Sequence, residues 1–376
     1  MVGCMKEMLK KLVTLLIRIT PKRSYCYMKA MPSYDDSAVA VYNSLPLERL
    51  EKVVWSYYND EDRPPFEDRG KTIHVKKGSV RDFYYGIVSK YIFTTHGHFI
   101  PDVPKSQICV NMWHGMPFKA IGLLNHMPGR RDTYICATSP LYQKVMSDAF
   151  GVSCNRVLTV GSPRNDYLFA EGASIWNWME IDRSQYAKVF IWLPTYRQSV
   201  VGDIRTDGLE VGNVYGMGTV DEGDFERFLE RENCLCLVKA HPMSPKYEQT
   251  SSSHVLHIDE KWLWERGLLL YQVLGQMDFL ISDISSVMVD FSLLDRPMIA
   301  CFEDATEYMA SRPMVFENIF DWLPASVVHH YSGLKQELQS LIRDEDPTAE
   351  KRGKLMRQFH QHIDGKATER LLKKVL

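Results

Sequence analysis

No stretch of this chain reaches the roughly 18 apolar residues that a membrane-spanning helix needs. Near the N-terminus the apolar run from Leu12 to Ile17 is broken by Thr14 and closed by Arg18. No small-residue cleavage site follows it, so a secretory leader is not expected. The eight cysteines include no Cys-x-x-Cys pair. That argues against a zinc framework or a disulfide scaffold and for reduced, buried thiols in a cytoplasmic protein. Cys234 and Cys236 alternate in CLCLV, as on one face of a strand. Neither sign of charge dominates: the net charge of -2 gives no reason to expect a nucleic-acid binder. Internal repeats and low-complexity tracts are also lacking.

What is present is a globular composition, 45% hydrophobic and 24% charged, over 376 residues. That length suggests two domains of roughly 150 to 200 residues. The first series of strand-like runs is KVVWSYY (52–58), TIHV (72–75), YIFTTH (91–96), QICVNMW (107–113), TYICATS (133–139) and RVLTVG (156–161). Helix-like pieces at 80–90 and 140–150 separate them, and 59–70 is a polar loop. The second series is AKVFIWLPTYR (187–197), CLCLVKAHP (234–242), MDFLISDISS (277–286) and RPMIACF (296–302), with a Gly-rich loop over 198–223. β-rich runs alternating with helices predict parallel α/β sheets. The expected organisation is a basic amphipathic segment at 1–30, one Rossmann-like domain at 31–175 and a second at 176–376, facing a central cleft. Residues 176–186 are the expected connection. Lys6, Lys10, Lys11 and Arg18, then Lys22, Arg23 and Lys29, suit a helix resting on an anionic membrane surface. An ordinary helix covering the domain is the other reading, and both stand open.

Ligands of open α/β sheets bind beyond the carboxyl ends of the strands, and the polar turns of this chain lie there. In WHGMPFKAIG (113–122), His114 follows an apolar strand. Gly115 allows an unusual backbone angle and Pro117 stiffens the turn. An imidazole at that point suits proton abstraction from a hydroxyl, or it is a satisfied core histidine. In GSPRND (161–166), Arg164 carries a fixed fork for phosphate or carboxylate, and Asn165 and Asp166 could cap a helix. A purely structural Arg–Asp turn is the alternative. LPTYR and VKAHP bring Thr195, Arg197, Lys239 and His241 to one edge of the second sheet, a set suited to a phosphate-bearing ligand. Lys239 could equally be an ordinary solvated side chain. In ISDISSVMVDF (281–291), Asp283 ends a strand and Ser285 and Ser286 open a helix. Such a helix start offers N–H groups and a positive dipole end to a diphosphate, or is a plain cap.

Taken together, WHGMPFKAIG, GSPRNDYLF, LPTYR, KAHP, ISDISSVMVDFSLLDRPMIACFEDATEY and the terminal DGKATERLL resemble the CDP-glycerol glycerophosphotransferase family, which builds teichoic acids and related capsular polymers. The resemblance runs from about residue 90 to the C-terminus. It implies a GT-B-like α/β fold with the active site between two domains. It also implies transfer of glycerol phosphate or another polyol phosphate from a CDP-activated donor. The acceptor would be a hydroxyl of a lipid-linked saccharide or growing polymer, with release of CMP and no cofactor or essential metal. The two motif histidines, His114 and His241, would be catalytic. His114 would be the base on the acceptor hydroxyl, and His241 with Arg197 would contact the donor phosphates. Ser285 and Ser286 would hold the diphosphate, Asp283 would orient that turn or the polyol, and Arg164 would face the cleft. Such an enzyme would work in the cytoplasm, peripherally on the inner face of the membrane.

This chain departs from the family pattern at Met116, where a small polar residue is usual. It departs again after EDATEY, where RPMVFENIFDWLPASVV replaces a Gly-rich turn. Its length favours a primase-like or single-module transferase, or a short capsule enzyme. Two other classes compete. A GT-B glycosyltransferase or nucleotide-sugar epimerase would call for sugar contacts or a poised carboxylate pair, and no convincing pair is present. Nor does an Asp-x-Asp pair stand in the metal-binding position usual for nucleotide-sugar enzymes. A non-catalytic GT-B scaffold at the membrane would not need both histidines.

Overall fold

The computed structural model describes residues 12–58, 68–97, 103–170, 172–195, 212–241 and 251–376. Within them the chain forms two compact units. The first comprises residues up to Met116, then Gly122–Tyr167 and Gln361–Leu376; the second comprises Pro117–Ile121 and Leu168–His360.

The first unit holds a seven-stranded sheet. Its strands are β1 (Arg23–Lys29), β2 (Lys52–Tyr57), β3 (Thr72–Lys76), β4 (Ser89–Thr94), β5 (Ile108–Asn111), β6 (Tyr134–Cys136) and β7 (Val157–Leu158). They lie in the order β3-β2-β1-β4-β5-β6-β7, and every pairing is parallel. Parallel strands are covered on both faces, which explains their near-continuous apolar runs. In β1 the residues Tyr25, Cys26, Tyr27 and Met28 are all buried. The order reverses between β1 and β4, so the crevice expected for ligands opens at the carboxyl ends of those two strands. Helix Pro140–Phe150 shows how local chemistry sets an element. Ser139 accepts a hydrogen bond from Tyr142 N–H, Pro140 occupies the first turn, and left-handed Gly151 ends the helix.

The second unit holds a six-stranded parallel sheet. Its strands are β8 (Lys188–Trp192), β9 (Cys234–Val238), β10 (Val255–His257), β11 (Leu280–Ser282), β12 (Met298–Cys301) and β13 (Ser326–Val328). Their order is β10-β9-β8-β11-β12-β13, with the reversal between β8 and β11. Cys234 and Cys236 do share a face of β9: both join the buried cluster of Phe190, Trp192, Phe225 and Phe279. Phe190 and Phe279 stack with ring centroids 4.3 Å apart.

Three boundaries differ from expectation. Residues 23–29 are a central strand, not part of a surface segment. Arg23 and Lys29 flank a short apolar stretch that must pair with β2 and β4 to be covered. Burial lowers the Lys29 ammonium to about 8. Second, residues 361–376 cluster with the first unit. The Asp166 carboxylate accepts from the N–H groups of Ala367 and Thr368 at 2.7 and 2.9 Å, capping helix Ala367–Val375. Gly161 leaves no room for a β-carbon beside Ala367, whose own Cβ would lie 2.9 Å from it. Third, the second unit takes the chain up at Leu168 rather than 176, and also includes Pro117–Ile121. There Lys119 bridges Met314, Ala120 N–H donates to Pro313 at 2.8 Å, and Val315 N–H donates to Phe118 at 2.8 Å.

Candidate active site

In the first unit the site is built on β4 and β5. Just past β5, Trp113 takes a left-handed backbone angle, φ 58°, and Gly115 has φ 127°. The Asn111 side-chain oxygen accepts from Trp113 N–H at 3.0 Å, and buried Asp132 accepts from the Asn111 amide at 3.1 Å. This buttress turns His114 back toward β4. His114 Nδ1 lies 3.2 Å from the Thr95 carbonyl. A carbonyl can only accept, so Nδ1 carries the proton and Nε2 presents its lone pair. Burial lowers the His114 pKa to about 4; the Thr95 hydrogen bond opposes the shift, and Arg164 and Arg130 add to it. The His96 ring lies parallel to His114 at 4.0 Å. Burial, then His114, Arg130, Lys77 and Arg164, lower His96 to about 2.

Arg164 and Asn165 are buried in the first unit. Arg164 acts electrostatically on the Asp35 carboxylate. Asp35 caps helix Asp36–Ser44, accepting from Ser37 N–H at 2.9 Å, and burial raises its pKa to about 6 against the opposing influence of Arg164. The Asp166 carboxylate caps the C-terminal helix Ala367–Val375, 201 residues further along the chain rather than next in it. Met116 is a core residue, 1% exposed, so its departure from the family pattern is a matter of packing.

In the second unit Thr195 and Asp283 meet where the sheet order reverses. Asp283, 3% exposed, accepts from Thr195 N–H at 3.2 Å and from its hydroxyl at 2.6 Å. Ser282 Oγ donates to the Leu193 carbonyl at 2.5 Å, tying β11 to the end of β8. Ser285 and Ser286 are half-buried and precede a helix of only five residues, Val287–Phe291. Ser286 makes no side-chain capping bond, while the Ser285 hydroxyl accepts from Val287 N–H at 3.4 Å. Lys239 is not a solvated side chain. Its ammonium, 6% exposed, pairs with Glu260 at 2.6 Å, which gives it a structural task. His241 is half-buried, three residues beyond β9. Arg197 lies outside the described residues.

Neither His96 nor Asp35 stands out in the sequence. His96 was read as the last residue of a strand, and only the β4–β5 pairing brings it to His114. Asp35 and Arg164 stand far apart in the chain, with β2 to β7 between them. A strand-end histidine followed by a glycine, in TTHG, was the one available signal.

Two open parallel α/β sheets, each with polar side chains gathered at its switch point, define a GT-B-like protein. The chain belongs to the CDP-Glycerol:Poly(glycerophosphate) glycerophosphotransferase family, matched over residues 12–376. The teichoic acid ribitol-phosphate polymerase TarL of Staphylococcus aureus is 25% identical over 89% of this chain. The teichoic acid glycerol-phosphate transferase of S. aureus is 22% identical, over 97% of this chain and 98% of its own length. The chain spans only 64% and 55% of the S. aureus ribitol-phosphate polymerases TarL and TarK. A structure of the wall teichoic acid polymerase TagF matches with a TM-score of 0.76 at 19% identity, covering 100% of this chain and 95% of that one; this is a likeness of fold. The family expected from the motifs is the one found.

Proposed function

We propose that this protein transfers glycerol phosphate, or a related polyol phosphate, from a CDP-activated donor to a hydroxyl of a lipid-linked saccharide or polyol-phosphate polymer. The observation that carries this reading is His114, a neutral imidazole with its Nε2 lone pair presented at the carboxyl end of a parallel sheet, in a chain of this family. The acceptor oxygen attacks the polyol-bearing phosphorus while its proton passes to Nε2 of His114. The bond from that phosphorus to the bridging oxygen breaks, and the electron pair leaves with CMP. His241 and Arg197 steady the charge on the departing phosphate, with the Thr195–Asp283 turn and the Ser285 and Ser286 hydroxyls holding the diphosphate.

A base with a pKa near 4 is weak at neutral pH, and burial with two guanidinium groups keeps it there. An anionic substrate beside Arg130 and Arg164 offsets their effect and moves His114 back toward the range where a base works best. Arg164 thus tunes His114 rather than holding donor phosphate.

The helix over 12–19 supports a peripheral site of action. Leu12, Leu15, Leu16 and Ile19 are exposed at 53%, 54%, 39% and 65%. They fall at i, i+3, i+4 and i+7, one stripe of a helix, beside exposed Arg18. Ile17 on the other face is buried against Tyr25 and Ile92. We assign the stripe to an anionic membrane surface, where a lipid-linked acceptor would be met. No described helix is long and apolar enough to cross a membrane.

The test is incubation with CDP-glycerol or CDP-ribitol and a lipid-linked saccharide. The expected products are CMP and an acceptor heavier by one polyol phosphate. No CMP from any CDP-polyol would overturn the proposal.

A further inference from the structure

Thr95 is fully buried at the carboxyl end of β4, beside the end of β1, where the first sheet reverses its strand order. Its N–H donates to the Lys29 carbonyl at 3.3 Å, and its hydroxyl accepts from Met31 N–H at 3.1 Å. These two contacts leave its carbonyl and its hydroxyl proton for other partners, and each meets an imidazole. The carbonyl accepts from His114 Nδ1 at 3.2 Å, and the hydroxyl lies 3.0 Å from His96 Nδ1. One residue therefore orients both rings. The rings lie face to face, with centroids 4.0 Å apart and planes within 5°. Trp113 closes a second side of His114 at 4.1 Å and is itself braced by Phe150 at 4.9 Å. The His96 backbone is held in turn, since Arg130 donates to its carbonyl at 2.7 Å. Gly97 is what lets Arg130 in, because a β-carbon there would collide with the guanidinium.

We propose that His96 is the positioning residue for His114: its parallel, neutral ring holds the His114 imidazole in one plane and lies against it when it becomes an imidazolium. This rests on the reading of His114 as the acceptor-side base. The chemistry is that of a flat π-face. A ring bound on one nitrogen can still swing about that hydrogen bond, and a second ring stacked on it removes the swing. A neutral aromatic face also attracts the cation that forms when the base takes its proton. Burial first, and then His114 itself with Arg130, Lys77 and Arg164, keep His96 uncharged, so it does not repel that imidazolium. His96 neither donates to nor accepts from His114; it acts through packing.

The test compares His96→Ala, which removes the face, with His96→Phe, which keeps it and removes both nitrogens. Two readouts are used. The first is steady-state CMP release from CDP-glycerol with a lipid-linked saccharide. His96→Ala is expected to lower kcat by about 10- to 100-fold with little change in KM, as misplacement of a reacting group does, while His96→Phe recovers most of the loss. The second is the pH titration of His114 followed by imidazole NMR, which needs no turnover. Burial is the main depressor of His114, so admitting water in His96→Ala moves its titration to higher pH, with Arg130 and Arg164 unchanged; in His96→Phe it stays near that of the wild type. An unchanged kcat and an unchanged titration in His96→Ala would overturn the proposal. So would a His96→Phe protein as inactive as His96→Ala but with a wild-type His114 titration, since His96 would then act through its own nitrogens. If the wild type released no CMP, the proposed reaction would fall, and the titration alone would still decide whether His96 sets the state of His114.

Discussion

His96 and His114 enter the fold as neutral rings, with pKa values lowered to about 2 and about 4 by burial first of all. In the unfolded chain both titrate near 6.5. Above that pH neither state binds a proton at these rings, and their contribution to stability is fully present. As pH falls below it, the unfolded chain takes up two protons that the native state refuses, so stability declines. Asp35 works in the opposite sense. Its raised pKa of about 6 makes the native state bind a proton first, so its contribution grows as pH falls from about 6 toward 3.8. Burial also lowers His257 and His360 and raises Asp132 and Asp166; the rings titrate in the unfolded chain near pH 6.5, inside this range, and the expected net result is a melting temperature that drops between pH 7 and pH 5. Replacing His96 by Phe removes one of the two proton uptakes and should flatten that drop, as read by thermal unfolding across the pH series. An unchanged slope would show that His96 is not held neutral. At this scale WHG was legible because a histidine and a glycine after an apolar strand make a turn with chemistry. The buttress of Asn111 and Asp132, and the stack with His96, were not legible, because they depend on which strands are neighbours.

At the scale of elements, β8, β9 and β11 lie within the strand-like runs that mark them, since parallel strands are apolar on both faces. β1 escaped notice because its four buried residues stand between Arg23 and Lys29 in a basic segment, and only its place between β2 and β4 makes it a strand. That placement changes how the N-terminal region must be probed. Removing residues 1–30 would delete an interior strand of the first sheet, so the stripe on helix 12–19 has to be tested by substitution. Leu15→Glu with Ile19→Glu alters only exposed positions and should leave the melting temperature nearly unchanged. Flotation with vesicles containing phosphatidylglycerol should show binding reduced about tenfold or more, from two lost apolar anchors and two added negative charges. Equal binding by wild type and variant would show that the stripe does not face lipid.

For the whole molecule, the motifs gave the order of chemistry along the chain, while the grouping of its ends required the structure. DGKATERLL reads as a terminal helix, yet its first N–H groups are held by Asp166 of GSPRND. Two motifs 200 residues apart are thus one piece of architecture. The same holds for PFKAI, whose backbone pairs with Pro313 to Val315. The segment where this chain departs from the family pattern is therefore anchored to the second half of its first motif. Lys239 and Asp166 each have a structural partner, Glu260 for the one and a helix start for the other. The proposed phosphoryl transfer uses both motif histidines, His114 and His241. The most direct measurement is CMP release from a CDP-polyol, with acceptor present, by wild type, His114→Ala and His241→Ala proteins whose circular dichroism and melting match. Each variant is expected to lose about 10²- to 10⁴-fold in turnover, the usual scale for removing an acid–base group. Near-normal turnover in either folded variant would contradict the claim.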